Sequence, residues 1–210
     1  MSVTDREKGG IVLTELKITD FAAELGSSKP APGGGSASAL AGALAAALTK
    51  MVAQLSGEGW DGFLPQAQRL TDQLLHLVNK DTQAFNQVMS ALQLPKGTDE
   101  EKQERRRALR LATRLATEVP LQVMEFSLEA LALAQEVSLR GNKNCLSDAG
   151  VAALLAAAAC RGAAYNVLIN LPGLKGDEFA SSARERMEEI LREAEALERA
   201  TVDHVSRSLG

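Results

Sequence analysis

The apolar positions of this chain recur at the three- and four-residue spacing of amphipathic helices, and no stretch forms a convincing strand. The clearest helix runs from about Pro65, a residue suited to a first turn, to Leu92. Its apolar stripe consists of Ala67, Leu70, Leu74, Leu77, Val78, Phe85, Val88 and Leu92. Asp81 falls near the centre of this stripe, so the sequence places a carboxylate on the face that turns towards the core.

Turn and capping residues divide the rest of the chain into further helices. The predicted segments run from about Thr19 to Leu25, Ser36 to Leu55, Asp99 to Arg140, Ser147 to Asn170 and Asp177 to Ser208. Thr98-Asp99-Glu100-Glu101 has the pattern of a capping box, Pro120 predicts a kink or a division, and Ser147 is expected to cap its helix. The prediction is all-α: residues 13–210 form a single-domain bundle of six or seven helices after a flexible start at residues 1–12.

Composition favours helices that pack closely through small side chains. Apolar residues make up 45% of the chain but aromatic residues only 3%. The net charge of −4 and the absence of aromatic residues among basic clusters argue against nucleic-acid binding. His76 and His204 stand on separate segments, so no metal site is expected.

Two alanine-rich stretches, residues 37–55 and 149–171, are long enough to raise the question of membrane insertion. Lys50 interrupts the first and Arg161 the second, which leaves uncharged runs shorter than the roughly 20 residues of a spanning helix. We therefore expect buried core helices in a cytoplasmic protein with no membrane partner.

The run Pro30-Ala31-Pro32-Gly33-Gly34-Gly35-Ser36 leads directly into an alanine-rich helix. Three successive residues without a Cβ would let a ligand approach the backbone closely. The start of a helix also presents unpaired N–H groups that favour anionic or electron-rich atoms. Taken alone, the run is explained equally well as a proline-bounded turn followed by a helix start.

A carboxylate in an apolar stripe, such as Asp81, destabilises the folded state unless it is paired or hydrogen-bonded. Burial also tends to raise its pKa. Such carboxylates are suited to acid–base catalysis, which makes Asp81 the catalytic candidate. The structural alternative is an aspartate that holds a neighbouring helix cap or a lysine.

Polar residues occur at both ends of the helix that follows Ser147. Capping explains Ser147 or Asp148, whereas Asn166 and Asn170, one turn apart, form a polar patch that capping explains less well. Asp148 and Asn166 are ~27 Å apart at 1.5 Å per residue, so they cannot contact one small reacting centre. They serve different parts of a long ligand, or one serves a neighbouring subunit, or one is structural.

Lys96, alone on a Pro-Gly turn, could meet an anionic substrate tail.

Four segments together resemble the cyclodeaminase and cyclohydrolase family, the fold of the C-terminal half of formiminotransferase-cyclodeaminase. They are the run from Pro30 to Ser36, Asp81-Thr82-Gln83-Ala84-Phe85 with Leu94-Pro95-Lys96, Gly141-Asn142 followed by Ser147-Asp148, and Tyr165-Asn166-Val167-Leu168-Ile169-Asn170-Leu171. The resemblance implies an all-helical homodimer that acts on one-carbon tetrahydrofolates. It also implies an acid–base role for Asp81.

The resemblance implies two reactions. A cyclodeaminase closes 5-formiminotetrahydrofolate to the methenyl form with loss of ammonia, and a cyclohydrolase opens the methenyl bridge to 10-formyltetrahydrofolate. Neither needs a metal or a prosthetic group, and transfer of a formimino group from formiminoglutamate is not expected of this chain. The alternative is a folate-binding or scaffolding homologue without catalysis.

The resemblance also implies which residues bind the folate, and basic groups would meet its polyglutamate tail. The expected substrate-binding residues are Gly33, Gly34, Gly35, Ser36, Lys96, Asn142, Ser147, Asp148, Asn166 and Asn170. In the expected homodimer, small-residue helix faces such as those of Ala152 and Ala159 pack closely.

Overall fold

The computed structural model describes residues 11–210, which form six α-helices and contain no strand. The helices are α1 (Ile18–Leu25), α2 (Gly34–Gln54), α3 (Phe63–Leu92), α4 (Asp99–Arg140), α5 (Leu146–Asn170) and α6 (Glu178–Leu209). The all-α prediction is confirmed. The predicted flexible start at residues 1–12 lies outside the described residues except for Ile11 and Val12, which are exposed.

Helices α2, α4 and α5 contact one another and form the centre of the bundle. Helix α3 packs on α2 and α4, and α6 packs on α4 and α5. Lys50, near the end of α2, donates to Gln68 near the start of α3, at 2.6 Å, so these two helices are antiparallel. Helix α5 also runs antiparallel to α2, since Asn142 before α5 donates to Leu55 O at the end of α2, at 2.9 Å. The start of α2 therefore lies beside the end of α5.

Small side chains let α2 approach both α5 and α4 closely. A Cβ at Gly162 would stand 2.4 Å from Ser38 Oγ, and one at Gly42 would stand 2.5 Å from Ser127 Oγ of α4. Ala152 and Ala159 are completely buried inside the bundle. The expectation that these alanines line a contact between subunits is therefore wrong, because their faces are used within one chain.

Two helices are long and apolar enough to cross a membrane by length and composition, namely Gly34–Gln54 and Lys143–Leu174, the latter including the 3₁₀ turns on either side of α5. The core helices of soluble proteins have the same property. In this bundle 56% of the most apolar window of the first and 50% of that of the second are buried. This burial agrees with the prediction that both are core helices.

The capping box before α4 is confirmed. Thr98 Oγ1 accepts a hydrogen bond from Glu101 N at 3.2 Å, and Glu101 Oε2 accepts one from Thr98 N at 3.0 Å. The predicted division at Pro120 is wrong, because α4 continues through it as one helix of 42 residues.

Asn170 of α5 compensates for the missing N–H of Pro120. A proline inside a helix leaves the carbonyl of the residue four positions earlier without its donor, which here is Ala116. Asn170 Nδ2 donates to Ala116 O at 2.8 Å and so supplies the hydrogen bond that the helix lacks. The same contact fixes the end of α5 against α4.

The predicted cap at Ser147 is also wrong. Helix α5 begins at Leu146, after a 3₁₀ turn at Lys143–Cys145, and Ser147 lies inside its first turn. The capping side chain stands further upstream, where Asn142 Oδ1 accepts from Asn144 N at 3.0 Å.

The compensation at Pro120 predicts an energetic coupling between α4 and α5. Asn170→Ala should lower the free energy of unfolding by about 1 kcal/mol, because it leaves the carbonyl of the half-buried Ala116 without its donor. In a Pro120→Ala background the same change should cost less, since the alanine N–H can bond that carbonyl. Chemical denaturation of the four proteins of this double-mutant cycle gives the coupling, and fully additive effects would contradict the account.

Candidate active site at the start of α2

Helix α2 begins one residue after the first glycine of the Gly33-Gly34-Gly35 run. Gly33 is the N-cap in an extended conformation, and Gly34 and Gly35 belong to the first helical turn. The helix therefore begins two residues before the predicted start at about Ser36, and Gly34 and Gly35 are helical. Gly33 has no capping side chain, so the N–H groups of Gly34 and Gly35 remain available to other groups, whereas that of Ser36 acts on Asp81.

The carboxyl group of Asp81, on α3, lies against this first turn. A Cβ built on Gly35 would stand 2.0 Å from Asp81 Oδ1 and 2.5 Å from Asp81 Cγ. Real Cβ atoms do not approach other atoms so closely, so only glycine at position 35 allows the carboxyl group its place. Gly34 is different, since a Cβ there would meet nothing nearer than Asn166 Nδ2, at 3.8 Å.

Ser36 holds the other side of the same carboxyl group. Its hydroxyl oxygen lies 2.9 Å from Asp81 Oδ2 and 3.0 Å from Val78 O, one turn earlier on α3. Ser36 is completely buried, so its hydroxyl is not a surface group that water could replace. It therefore positions Asp81, although it does not line the cavity described below.

Burial raises the pKa of Asp81 above its ordinary value of 3.8. The hydroxyl and the backbone N–H of Ser36 both act in the opposite direction, because each stabilises the charged carboxylate. Burial is the largest of the three effects, so the pKa remains raised. A carboxyl group with a raised pKa gains and loses a proton more readily near neutral pH than an exposed aspartate does, which is the property that acid–base catalysis requires.

Asp81 opens into a cleft of about 330 Å³ between α2, α3, α4 and α5. The cleft is lined by Pro30, Ala31, Gly33, Gly34, Gly35, Asp81, Phe85, Val88, Ala116, Asn166, Ile169 and Asn170. The structure thus brings together six predicted site residues, from three separate parts of the sequence. A seventh, Ser36, lies directly behind Asp81.

The two asparagines of α5 line the cleft and are held by hydrogen bonds from their amide nitrogens. Asn166 Nδ2 donates to Gly162 O at 2.9 Å, and Asn170 Nδ2 donates to both Ala116 O and Asn166 O. A carbonyl oxygen can only accept, so these contacts fix which end of each amide is the nitrogen. Each Oδ1 is left without a hydrogen bond from the described residues and can accept one from a ligand.

Four predicted residues lie away from the cleft of their own chain. Asn142 binds the far end of α2, where its N–H donates to Ser56 Oγ at 2.7 Å, ~30 Å from Gly34 along the helix. Ser147 is exposed and Asp148 half-buried at the far end of α5. Lys96 is exposed on the turn after α3, whose last residue, Leu92, is ~16 Å from Asp81 along the helix.

Sequence reasoning missed the apolar walls of the cleft. It assigned Phe85 and Val88 to the core stripe of α3, whereas both are half-buried and line the cleft. Ile169 carried no prediction of its own, although its side chain is 77% exposed beside Asn170. Helical spacing finds the face of a helix, but it does not separate the part that packs on a neighbour from the part that borders a cavity.

A larger and more open groove of about 700 Å³ lies where the turn after α5 meets α6. It contains none of the predicted site residues, and Asp177 at its edge is paired with Arg110 at 3.0 Å. Within residues 11–210 no group of three or more His, Cys, Asp or Glu side chains is placed to hold a metal ion. The Asp81 cleft is therefore the place where a half-buried titratable group, free N–H groups and acceptor atoms converge.

The contact between Gly35 and Asp81 predicts opposite results for adjacent glycines. Gly35→Ala should destabilise the protein, because its methyl group would occupy the position of the carboxyl group, whereas Gly34→Ala should be neutral or stabilising. Replacing Asp81 by alanine should remove most of the cost of Gly35→Ala. Thermal unfolding of the single and double variants measures this, and an unchanged cost in the Asp81→Ala background would contradict the contact.

Comparisons with known proteins agree with this architecture. Residues 17–189 match the family model described as formiminotransferase-cyclodeaminase. A methenyltetrahydrofolate cyclohydrolase of Methylorubrum extorquens is 40% identical over 189 residues, which cover 86% of this chain and 91% of the relative. The formimidoyltransferase-cyclodeaminase of Rattus norvegicus is 36% identical over 191 residues, covering 87% of this chain but 35% of the relative.

A solved structure shares the fold. The crystal structure of formiminotetrahydrofolate cyclodeaminase from Thermotoga maritima aligns with a TM-score of 0.71 and 30% identity, over 93% of this chain and 96% of that one. The family model, the identities and the common fold lead to one conclusion. The chain belongs to the formiminotransferase-cyclodeaminase family.

Proposed function

We propose that this chain is a folate one-carbon enzyme that acts on the carbon between N5 and N10 of tetrahydrofolate, with Asp81 as its acid–base group. The observation that carries the proposal is a carboxyl group of raised pKa, facing a cleft, in a chain whose relatives are named for these reactions. The two candidate activities are those of a methenyltetrahydrofolate cyclohydrolase and a formiminotetrahydrofolate cyclodeaminase.

Both reactions need proton transfer at a carbon held between two nitrogens. In the cyclohydrolase reaction water adds to the methenyl carbon and gives up both of its protons, one on addition and one as the formyl C=O forms. N5 gains one proton as its bond to this carbon breaks, so one proton is released overall. In the cyclodeaminase reaction N10 attacks the formimino carbon, and nitrogen leaves as ammonia after it is protonated. One carboxyl group that accepts and returns a proton supplies what either sequence of steps requires.

The cyclohydrolase is the first candidate. Its named relative shares 40% identity over almost its whole length, whereas the bifunctional relatives match over about a third of theirs. The cyclodeaminase remains the second candidate because the Thermotoga maritima protein has the same fold over 96% of its length.

The cleft suits a flat heterocycle that carries hydrogen-bond donors. Phe85, Val88 and Ile169 provide apolar walls, and the Oδ1 atoms of Asn166 and Asn170 provide acceptors for ring N–H groups. The N–H groups of the first turn of α2 face electron-rich atoms beside Asp81. In this arrangement the backbone at Gly34 and Gly35 orients the substrate while Asp81 moves the proton.

Lys96 is proposed to meet the polyglutamate tail of the substrate. It is exposed beyond the end of α3, the helix that carries Asp81. A tail that leaves the cleft along α3 would reach it after ~16 Å or more, beyond the extent of the bicyclic ring itself.

A homodimer is proposed through an apolar face on α5. Val151, Leu154, Tyr165 and Ile169 form one stripe along this helix and are 47%, 50%, 73% and 77% exposed. Large exposed apolar patches mark interaction surfaces, and a two-fold dimer brings the same patch of both chains together. Leu44 of the neighbouring α2 is also 50% exposed.

This dimer would bring the separated site residues together. Ile169 belongs both to the apolar stripe and to the wall of the cleft. If the two α5 helices meet antiparallel, the Ser147 and Asp148 end of one chain approaches the Asn166 end of the other. The ~27 Å between Asp148 and Asn166 within one chain is then no obstacle to their serving one site.

A folate-binding homologue without catalysis remains the alternative from another functional class. Burial of the carboxyl group of Asp81 lowers the stability of the protein at neutral pH. A protein that only binds folate has little use for such a group, whereas an enzyme can use it to transfer protons. Turnover separates the two classes directly.

Asp81→Asn should lower turnover by about 10²-fold or more with little change in fold or folate affinity, because it removes the acid–base group but keeps the side chain's shape. Loss of the near-ultraviolet absorbance of methenyltetrahydrofolate measures the first reaction, and ammonia release from the formimino substrate measures the second. Asp72→Asn on the same helix is the matched control, since Asp72 is exposed.

The pH dependence should follow the raised pKa of Asp81. Where Asp81 acts as the base it must be ionised, so cyclohydrolase activity should fall as the pH drops through a pKa above 3.8.

Turnover of Asp81→Asn equal to that of the parent would remove Asp81 from the mechanism.

The proposed dimer should dissociate when charge is placed on its apolar face. Val151→Asp with Leu154→Asp should yield monomers by light scattering, and activity should fall with dissociation. Leu111→Asp is the control, because Leu111, 61% exposed on α4, borders a groove with Gln87 and Ala91 of α3 that contains no residue of α5. A parent protein that is monomeric and active at micromolar concentration would contradict the proposal.

A further inference from the structure

A second cavity lies on the other side of the segment that precedes α2. It has a volume of about 440 Å³, and its walls include Ala31, Pro32, His76, Lys80 and Thr82. Ala31 also lines the Asp81 cleft, so the segment at residues 30–32 separates the two cavities. The second cavity contains no predicted site residue and has no part in the function proposed above.

A chain of two hydroxyl groups joins Asp81 to this second cavity. Ser36 Oγ lies 2.9 Å from Asp81 Oδ2 and 3.3 Å from Thr82 Oγ1. Ser36 is fully buried, whereas Thr82 is half-buried and lines the second cavity. Adjacent residues on α3 thus face different cavities, and the Ser36 hydroxyl connects them.

The hydrogen bonds of this chain can run in either direction. Ser36 has one hydroxyl proton, and its possible acceptors are Asp81 Oδ2, Val78 O and Thr82 Oγ1. When Asp81 is ionised, Ser36 donates to it and accepts from Thr82. When Asp81 is protonated, it donates to Ser36, which then donates to Val78 or to Thr82. Each hydroxyl accepts one proton and gives one away, so a proton can pass along the chain with no net change in either residue.

We propose that Ser36 and Thr82 conduct the proton of Asp81 to the second cavity, so that Asp81 is deprotonated while the folate still occupies the cleft. This rests on the proposed cyclohydrolase function, in which each turnover leaves one excess proton on Asp81. A folate in the cleft covers the face of Asp81 that opens there, and the path through Ser36 lies on the opposite side. The O–H bond of Asp81 breaks as Ser36 Oγ gains the proton, Ser36 passes its own proton to Thr82, and Thr82 passes one to water in the second cavity.

The polarity of the two cavities favours this direction. The α2, α4 and α5 residues that line the cleft around Asp81 include no titratable side chain. The second cavity instead has several polar or ionisable side chains, among them His76, Lys80 and the ion pair of Lys29 with Glu24 at 2.7 Å. Such groups attract water, which takes the proton to solvent.

Rapid-mixing measurements of a single turnover test the path. Absorbance reports the disappearance of methenyltetrahydrofolate, and a pH-indicator dye in weak buffer reports the released proton. In the parent protein the loss of absorbance and the release of the proton should follow the same time course. In Thr82→Val, which removes the hydroxyl but keeps the side chain's shape, the proton signal should lag the absorbance change about tenfold or more and follow product dissociation.

Matched variants separate conduction from positioning. Thr82→Ser should restore coincident signals, and Thr82→Ala should show the same lag as Thr82→Val, which guards against a folding defect in one variant. Thr71→Val is the control, because its hydroxyl donates to Ala67 O on the same helix, at 2.9 Å, away from Asp81.

Proton and absorbance signals that coincide at the parent rate in Thr82→Val would overturn the path. Signals that both slow by the same factor would also overturn it, because an equal slowing indicates that Thr82 positions Asp81 and does not conduct its proton. Failure of the proposed function would look different: the parent protein itself would not consume methenyltetrahydrofolate.

Discussion

The carboxyl group of Asp81 is packed against the first turn of α2 so closely that residue 35 can carry no side chain, since a Cβ there would stand 2.0 Å from Asp81 Oδ1. This contact fixes α3 against the start of α2. Ser36, one residue further on, holds the second oxygen at 2.9 Å. Position, burial and hydrogen bonding of the proposed acid–base group thus come from two successive residues of one helical turn.

Two opposing effects set the protonation of this group. The N-terminus of a helix stabilises negative charge, and both groups of Ser36 that face Asp81 lower its pKa. Loss of water around the carboxyl group raises the pKa by more. A carboxylate at an exposed helix start would be an ordinary capping group. Burial turns the same geometry into a group suited to exchanging protons.

The remaining polar residues of the cleft depend on the packing of α5. Gly162 permits the close approach to Ser38 of α2, which brings Asn166 next to Gly34. Asn170 is held by the carbonyl that Pro120 leaves unpaired. Ala116 of α4 and the two asparagines of α5 therefore line one side of the site. Asn170 has a structural role that does not depend on any ligand.

Helical periodicity was sufficient to predict the helices and to single out Asp81, because a charge within an apolar stripe is visible on one helix alone. The cap of α5 could not be predicted in the same way, since Ser147 has a capping side chain but a 3₁₀ turn moves the helix start upstream. Periodicity also failed for Ala152 and Ala159, whose small side chains suit contacts within a chain and between chains equally. The link between Pro120 and Asn170 depends on tertiary contacts, which local sequence does not reveal.

A direct titration of Asp81 tests the central claim that burial at the start of α2 prepares this carboxyl group for proton transfer. Carbon-13 NMR of the side-chain carboxyl groups, with Asp81→Asn used to assign the resonance, gives its pKa in the free protein. The account predicts a value clearly above 3.8. A value at or below 3.8 would mean that the Ser36 hydrogen bonds outweigh burial, and Asp81 would then be a structural cap of α2.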